Sequence, residues 1–493
     1  MTNSRDIPIE MDKNEFKKIG HQLIDSIADF FDTIAERPVT TGETPQELQS
    51  ILGDNSLPET GGEISKIFAK ATSLLFDHSL LNGHPKFSGY ITSAPAPAGV
   101  LAELLAAAVN PNVGANVLSP IATEIEKQTV KWLARFIGVD ESYGGLLVSG
   151  GNMANFTAFL AARTAKGPKS IKEEGIESRY QKMTVYCAKT THTWIEKAVV
   201  LFGLGTNAVR WIATNDVNVM NNTELENSIK KDKENGCHPL MVIGNAGDVS
   251  TGAVDDLKGI AAISKKYDLW FHVDGAYGIP AAILPEFKTL FSGVEEADSI
   301  ALDPHKWLYS PLEAGCTLVK DPNHLIAAFS SHPVYYNFSS DDEPSTLNFY
   351  EYGLQNSRGF RALKVWIMLQ QMGVNGYQKL IAADIELSRL LFELADKHEE
   401  LQAISQNLSI TTFRYVPLNC DEKDESFLNA LNEQLLNALQ KKGEVFLSNA
   451  VIQGKYCLRC CIVNFRTTRK DIEEIIEIIV REGKNVHLSI TNR

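Results

Sequence analysis

A carboxylate and an amine follow two short apolar runs in the second half of the chain. The run Leu269 to Val273 reads as a buried strand, and Asp274 stands at its carboxyl end. The run Ser299 to Leu302 reads as a second buried strand, and it leads into Asp303-Pro304-His305-Lys306-Trp307. Small residues directly after Asp274 leave room for a flat molecule. Two strand ends therefore present an acid and a lysine that can serve one site.

Pyridoxal phosphate catalysis needs this pair of groups. A lysine amine holds the cofactor aldehyde as a Schiff base, and a carboxylate keeps the pyridine nitrogen protonated. An anion beside that nitrogen favours the charged ring, which is the electron sink. Taken singly, an aspartate after a strand is usually a turn former or helix cap, and a His-Lys pair on a loop is usually solvated surface. Their joint occurrence after two buried strands favours the cofactor site.

The segments HVDGAYG (272–278) and DPHKWL (303–308), with the spacing between them, resemble the group II pyridoxal-phosphate-dependent amino acid decarboxylases. This family includes the aromatic-L-amino-acid, glutamate and cysteine sulfinate decarboxylases, and the resemblance extends from about Phe16 to Ile479. It implies a fold type I, aspartate-aminotransferase-like α/β fold, pyridoxal 5'-phosphate as cofactor, an amino acid as substrate, and a homodimer. It assigns Lys306 to the Schiff base and Asp274 to the pyridine nitrogen, both as catalytic residues.

A glycine-rich turn, Ser149 to Asn152, joins a predicted strand to a helix predicted over Ala154 to Ala165. Free N–H groups and the dipole at a helix start form a seat for phosphate. A glycine pair before a helix is by itself more often punctuation, but this stretch resembles the family's SGGxxAN motif. We therefore expect the N–H groups of Gly151, Asn152 and Met153 to bind the phosphate.

His192 follows a predicted strand, Met183 to Ala188, and by default it would cap a turn or lie on the surface. The resemblance places it over the pyridine ring, as a catalytic residue that influences whether the reaction ends in protonation or in oxidation. Its presence favours simple decarboxylation. The complete set of predicted cofactor-binding residues is Gly151, Asn152, Met153, His192, Thr251, Asp274, Ala276, Asp303, His305 and Lys306.

The loop after a predicted strand at Met241 to Gly244 departs from the family pattern. Relatives read AGTTNTGAxD, whereas Asp248 and Val249 replace the two threonines here. A hydroxyl group that could touch cofactor or substrate is thereby lost at Val249. Thr251 remains a candidate for contact with the cofactor, and Asp255 is predicted to cap the next helix.

The stretch from Phe329 to Tyr352 is polar and has no period, which is typical of a lid or of disorder. The resemblance implies a lid whose tyrosine donates a proton after carbon dioxide leaves. Tyr335 is therefore the predicted catalytic acid, with Tyr336 as the adjoining alternative.

Four residues are predicted to contact the substrate. Phe87 and Lys86 lie in HPKF, which resembles the family's HPxF stretch at the mouth of the active site. Lys86 could attract an acidic side chain or could simply extend into solvent. Ser357 stands where relatives vary with the size of the substrate ring, and Trp307 adjoins the lysine.

Composition excludes several classes of partner. The chain of 493 residues carries a net charge of −14, which argues against nucleic acid and anionic membranes. No apolar run approaches the roughly 20 residues that span a bilayer, and no secretory signal is recognisable. The cluster Cys457, Cys460 and Cys461 has a spacing that zinc can use, but it also alternates like a strand, and the structural interpretation is favoured. We expect no metal and a cytoplasmic protein.

The predicted organisation has three parts: a helical dimerisation segment (1–82), a large cofactor-binding domain with a mainly parallel sheet (83–371), and a small α+β domain (372–493). The predicted reaction is decarboxylation of an L-amino acid to its amine and carbon dioxide, with an aromatic substrate favoured, such as tryptophan, tyrosine or dihydroxyphenylalanine. Three alternatives stay open: decarboxylation of an acidic amino acid, an aldehyde synthase, and a non-catalytic scaffold.

Overall fold

The computed structural model describes residues 9–53, 56–176, 181–331, 347–418 and 424–491. The predicted proton donor Tyr335 and its neighbour Tyr336 lie outside these residues, as does most of the predicted lid.

The amino-terminal segment is helical, as predicted. It consists of α1 (Lys13–Thr33), α2 (Pro45–Leu52) and α3 (Ile64–His78). Apolar side chains recur every three or four residues along α1, and this stripe faces α3, where Phe30 and Phe76 stack with ring centroids 4.2 Å apart. Many apolar side chains of this segment stay exposed in the single chain, among them Phe16 and Leu75.

A seven-stranded sheet forms the centre of the large domain. Its strands are β1 (Gly144–Val148), β2 (Met183–Ala188), β3 (Val209–Ile212), β4 (His238–Asn245), β5 (Trp270–Asp274), β6 (Ser299–Leu302) and β7 (Gly315–Val319). They lie in the order β1-β7-β6-β5-β4-β2-β3. Strand β7 is antiparallel to both β1 and β6, whereas β3, β2, β4, β5 and β6 are parallel. The predicted mainly parallel α/β sheet is confirmed.

Helices cover both faces of this sheet, which is why the central strands are mainly apolar on both faces. The helices of this part are α4 (Pro97–Val109), α5 (Pro120–Phe136), α6 (Gly151–Lys166), α7 (Ile171–Glu174), α8 (Trp194–Leu201), α9 (Asn222–Glu234), α10 (Leu257–Tyr267) and α11 (Asn323–Phe329). Two hydrophobic clusters, one on each side, bury the strand side chains.

A 36-residue helix, α12 (Ala362–Lys397), runs from the large sheet to the small one. The backbone leaves the helical conformation at Gly373 (φ 56°, ψ 179°), so a kink next to Met372 divides α12 into two helical segments. The two domain boundaries stay predictions, and the second one lies next to the kink at Gly373.

The small domain is an antiparallel sheet with two helices. Its elements are β8 (Leu401–Asn407), β9 (Ile410–Tyr415), α13 (Glu425–Lys442), β10 (Ser448–Ile452), β11 (Lys455–Cys461) and α14 (Arg469–Thr491). Strand β8 was not predicted, because it is a half-buried edge strand without clear alternation. Cys457, Cys460 and Cys461 are buried on β11, and burial raises the pKa of the Cys460 thiol.

Within the described ranges, no helix is long and apolar enough to cross a membrane. The same residues contain no group of three or more His, Cys, Asp or Glu side chains arranged to hold a metal ion.

Candidate active site

A cavity of about 400 Å³ lies where the parallel strands end. Strands β4, β5 and β6 each deliver a polar residue to this edge, as expected for an open α/β sheet. Nine of the predicted site residues line the cavity, including Asp274, Lys306 and His192. The complete lining is Ile91, Ser149, Gly150, Gly151, Asn152, Met153, Asn155, His192, Trp194, Asn245, Gly247, Asp248, Val249, Asp274, Ala276, Tyr277, Asp303, His305 and Lys306.

Asp274 ends β5, and three donors hold its carboxylate. Its Oδ2 atom accepts hydrogen bonds from Trp194 Nε1 at 2.7 Å and from Asn155 Nδ2 at 3.4 Å. Its Oδ1 atom accepts one from the Ala276 backbone N–H at 3.2 Å. The side chain is therefore fixed in direction although it lies at the cavity wall.

Lys306 lies in the loop after β6, where its amine meets a buried acid. Its Nζ atom is 3.0 Å from Asp303 Oδ2, and Asp303 is only 1% exposed. The second carboxylate oxygen, Asp303 Oδ1, has no hydrogen-bond partner among the described residues. A buried acceptor without a partner is rare in proteins and commonly marks a place where a ligand or an ordered water belongs.

The start of α6 supplies free backbone donors to the same cavity. The helix begins at Gly151, three residues earlier than predicted, and no described side chain caps it. The N–H groups of Gly151, Asn152 and Met153 thus keep their hydrogen-bonding capacity for an anion. A Cβ atom on Gly151 would lie 2.7 Å from Asp303 Oδ2, so a larger residue would close the space between helix start and acid.

Two histidines flank the cavity, and both are held by backbone N–H groups. His192 Nδ1 accepts from the Trp194 N–H at 3.2 Å, and His305 Nδ1 accepts from the Ala314 N–H at 3.0 Å. Desolvation lowers the pKa of both rings. Neutral imidazoles with the proton on Nε2 follow from this arrangement.

The loop after β4 folds around its own aspartate. Asp248 is buried and accepts from the backbone N–H groups of Ser250, Thr251 and Ala253, and from the Thr251 hydroxyl. The structure therefore does not bring Thr251 to the cavity lining, because its hydroxyl is already used; any cofactor contact stays a prediction. Val249 projects into the cavity and is 37% exposed.

The predicted cap of α10 was wrong by one residue. Asp256, not Asp255, caps the helix and accepts from the Gly259 N–H. Asp255 instead accepts from the Met220 and Asn245 N–H groups and ties two loops together. Burial raises the pKa of Asp255 to about 6.

None of the four predicted substrate residues lines this cavity in the single chain. Lys86 Nζ is 2.5 Å from Glu474 Oε2, and Phe87 is buried against Phe446. Trp307 is buried behind the lysine loop, and Ser357 is exposed. Their contact with substrate stays a prediction.

The lining also contains residues to which the sequence reasoning gave no role, among them Asn155, Trp194 and Tyr277. Asn155 and Trp194 donate to Asp274, and Tyr277 stacks on Trp307 with centroids 5.2 Å apart. The sequence could have indicated Asn155 and Trp194, because each lies near the start of a helix that follows a predicted strand, and such helix starts face the site. Their partner is far away in sequence, so the contact itself could not be inferred.

Comparison of the sequence with known proteins identifies related proteins over almost the whole chain. Residues 45–416 match the family model described as the pyridoxal-dependent decarboxylase conserved domain. The chain is 30% identical to the aromatic-L-amino-acid decarboxylase of Bacillus atrophaeus, over 98% of each chain. It is 32% identical to the phenylacetaldehyde synthase of Petunia hybrida, over 92% of this chain and 91% of that protein.

Among solved structures, the fold matches that of Catharanthus roseus tryptophan decarboxylase in complex with L-tryptophan. The TM-score is 0.87 and the identity 25%, with 97% of this chain and 100% of that chain covered. This similarity confirms the predicted fold class, including the amino-terminal helices and the small carboxyl-terminal domain.

Proposed function

Because the chain belongs to the pyridoxal-dependent decarboxylase family, we propose that it converts an aromatic L-amino acid to its amine and carbon dioxide. One observation carries the proposal: Asp274, Lys306 and the uncapped start of α6 meet at a single cavity. A carboxylate, an amine and a phosphate seat around one space fit pyridoxal phosphate. When bound, this cofactor supplies the electron sink for the bond that releases carbon dioxide.

The residues of the chain divide the remaining work. The N–H groups of Gly151, Asn152 and Met153 bind the phosphate, while Asp274 binds the ring nitrogen. Lys306 would hold the cofactor aldehyde, and Asp303, whose Oδ2 atom lies 3.0 Å from the Lys306 Nζ atom, would orient that side chain. His192, which lines the cavity, would lie against the cofactor ring. Tyr335 donates the proton that completes the amine.

The surroundings of Lys86 support an aromatic rather than an acidic substrate. A free lysine at the mouth would attract an acidic side chain, but the Lys86 amine already forms an ion pair with Glu474. Ile91 and Val249 add apolar surface to the cavity. Similar proteins named for their substrates also support an aromatic substrate, since they include tyrosine and tryptophan decarboxylases.

Carbon dioxide release from a panel of amino acids tests the substrate class. We expect turnover of tryptophan, tyrosine or dihydroxyphenylalanine, and little from glutamate, aspartate or cysteine sulfinate. Faster release from an acidic substrate would refute the proposal. Borohydride trapping followed by peptide mapping should label Lys306. The variant Lys306→Ala should lose the label, while Lys320→Ala, at an exposed position after β7, should keep it.

An aldehyde synthase is the second candidate, since a phenylacetaldehyde synthase is among the relatives. The two reactions differ in their products: the synthase consumes oxygen and releases hydrogen peroxide and ammonia with the aldehyde. The presence of His192 supports the decarboxylase. Peroxide in equal amount to carbon dioxide would establish the synthase instead.

We further propose that the protein is a homodimer. Helix α4, the turn after it and the start of α5 expose large apolar side chains: Leu101, Leu104, Leu105, Val109, Val117, Leu118 and Ile121. Exposed apolar surface of this extent is typical of a protein interface. Light scattering should give twice the chain mass, and the double variant Leu101→Glu/Leu105→Glu should give the monomer. Val451→Glu, exposed on β10, is the matched control and should stay dimeric.

A cytoplasmic location is also proposed. The cysteines in the described part of the chain are free, which is usual for a reducing compartment. Cell fractionation with marker enzymes tests this directly, and recovery with a membrane or secreted fraction would contradict it.

A further inference from the structure

A chain of hydrogen bonds runs through the interior of the large domain and ends on Asp274. Trp270 Nε1 donates to Ser299 Oγ at 2.7 Å, and Ser299 Oγ lies 2.8 Å from His272 Nδ1. His272 Nε2 lies 2.7 Å from Asn155 Oδ1, and Asn155 Nδ2 lies 3.4 Å from Asp274 Oδ2. All of these side chains are buried, and His272 is 0% exposed.

The direction of each bond follows from the charge at its end. An ionised Asp274 can only accept, so Asn155 must turn its NH₂ group towards it. The amide oxygen of Asn155 then faces His272 and needs a donor, which requires a proton on Nε2. Burial lowers the pKa of His272 to about 4, although the charge of Asp274 opposes this shift. The ring is therefore neutral, with Nδ1 free to accept from the Ser299 hydroxyl.

Trp194 closes this cluster from the other side. Its Nε1 atom donates to the same oxygen of Asp274 as Asn155 does, and its ring packs edge-on against His272 with centroids 5.8 Å apart. Two donors thus occupy Oδ2, whereas Oδ1 accepts a single backbone N–H and keeps free acceptor capacity. The cluster leaves one oxygen of Asp274 available and holds the other.

We propose that His272 is a positioning residue for Asp274: its Nε2 proton fixes the orientation of Asn155, whose NH₂ group then holds the Asp274 carboxylate for the cofactor nitrogen. This inference rests on the proposed role of Asp274 beside pyridoxal phosphate. His272 itself lies outside the cavity lining, so it acts on the site only through Asn155. Without the Nε2 proton, the amide of Asn155 is free to turn and present its oxygen to a carboxylate.

The tautomer of His272 is measurable in the full-length holoenzyme without any substitution. Long-range ¹H–¹⁵N spectra of histidine-labelled protein distinguish a protonated from a bare ring nitrogen. We expect a protonated Nε2 and a bare Nδ1 in His272, with no change across neutral pH. A proton on Nδ1, donated for instance to the Ser299 carbonyl, or a doubly protonated ring would overturn the proposal.

Two substitutions then test the effect on cofactor binding. His272→Leu removes the donor at similar bulk, and we expect the dissociation constant for pyridoxal phosphate to rise about ten-fold, with a changed visible absorption of the bound cofactor. His272→Gln retains an N–H donor and should recover part of both. Tyr186→Phe is the matched control, because Tyr186 lies on β2 of the same sheet and its hydroxyl donates a buried hydrogen bond to Asp232 on α9. It should lower stability and leave cofactor affinity unchanged.

The outcomes separate the inference from the proposed function. Wild-type affinity in both His272 variants, or an equal loss in the control, would reject the positioning role. A protein in which Lys306 traps no pyridoxal phosphate would instead reject the proposed function, whatever the tautomer of His272.

Discussion

Asp384 is a buried acid whose ionisation should make folding stability depend on pH. It lies on α12 and is 3% exposed, and its Oδ2 atom accepts from Trp307 Nε1 at 2.9 Å and from Tyr309 Oη at 2.5 Å. Burial raises its pKa to about 7, although the two aromatic donors oppose the shift. The folded protein therefore binds a proton at Asp384 between about pH 4 and pH 7, whereas the unfolded chain does not.

The size of the effect follows from the pKa. Raising it from 3.8, the value of an unburied aspartate, to about 7 corresponds to about 4 kcal/mol, at about 1.4 kcal/mol per pH unit. Because the folded-state pKa is the higher one, this stability is present at low pH and is lost as the pH rises through 7. Asp384→Asn removes the titration, so the stability of the wild type relative to the variant should fall by about 2 kcal/mol between about pH 5 and pH 7.

Urea unfolding of both proteins across this pH range measures that difference. The substitution also lowers the free energy of unfolding by an amount that does not depend on pH, since an amide cannot replace both carboxylate oxygens. This constant loss does not change how the difference between the two proteins varies with pH. Asp232→Asn is the matched control: burial opposes the shift, yet hydrogen bonds from Arg210 and Tyr186 lower the pKa of Asp232. The difference in unfolding free energy between Asp232→Asn and the wild type should not change with pH above about pH 5. A flat difference for Asp384→Asn as well would refute the reasoning, because Asp384 would then be ionised in the folded protein throughout.

Three further predictions concern Lys86, a glycine of strand β1, and the tryptophan that donates a hydrogen bond to Asp274. Lys86→Met should leave the ratio of kcat/KM for tryptophan over glutamate unchanged, because the lysine is paired with Glu474; a selective change on glutamate would contradict this. Gly145→Ala should destabilise the protein by about 3 kcal/mol in urea unfolding, since its Cβ would lie 1.9 Å from a carbonyl oxygen of β7, while Gly20→Ala in α1, with open space around it, should not. Trp194→Phe should weaken binding of pyridoxal phosphate about ten-fold in equilibrium dialysis, because a buried charge-assisted hydrogen bond is lost; unchanged affinity would show that this donor is dispensable.

The sequence was most informative where chemistry and local pattern coincide. Asp274 and Lys306 each follow a buried strand, and parallel strands of one sheet bring their carboxyl ends to the same edge, so the shared cavity could be predicted. The glycine turn before α6 could be predicted because it also lies between a buried strand and a helix.

Features that depend on distant partners could not be predicted. The ion pair of Lys86 involves a residue nearly four hundred positions away, at Glu474, and no local pattern indicates it. The carboxylate of Asp384 meets the lysine loop only after the two domains pack together. Strand β8 was missed because an edge strand with half-exposed side chains lacks a clear period.

The position of β7 also has a consequence for the order of events during synthesis. Strand β1 lies at the edge of the large sheet and pairs with β7 alone within that sheet, and β7 follows β2 to β6 in the chain. On the ribosome, β1 and the start of α6 emerge before the other strands of the sheet. Strand β1 can pair only after β7 has been synthesised. The parallel strands can assemble in the meantime, whereas the cofactor seat is completed late. A nascent chain arrested before residue 315 should therefore hold no pyridoxal phosphate, even though its Asp274 and Lys306 have already been made.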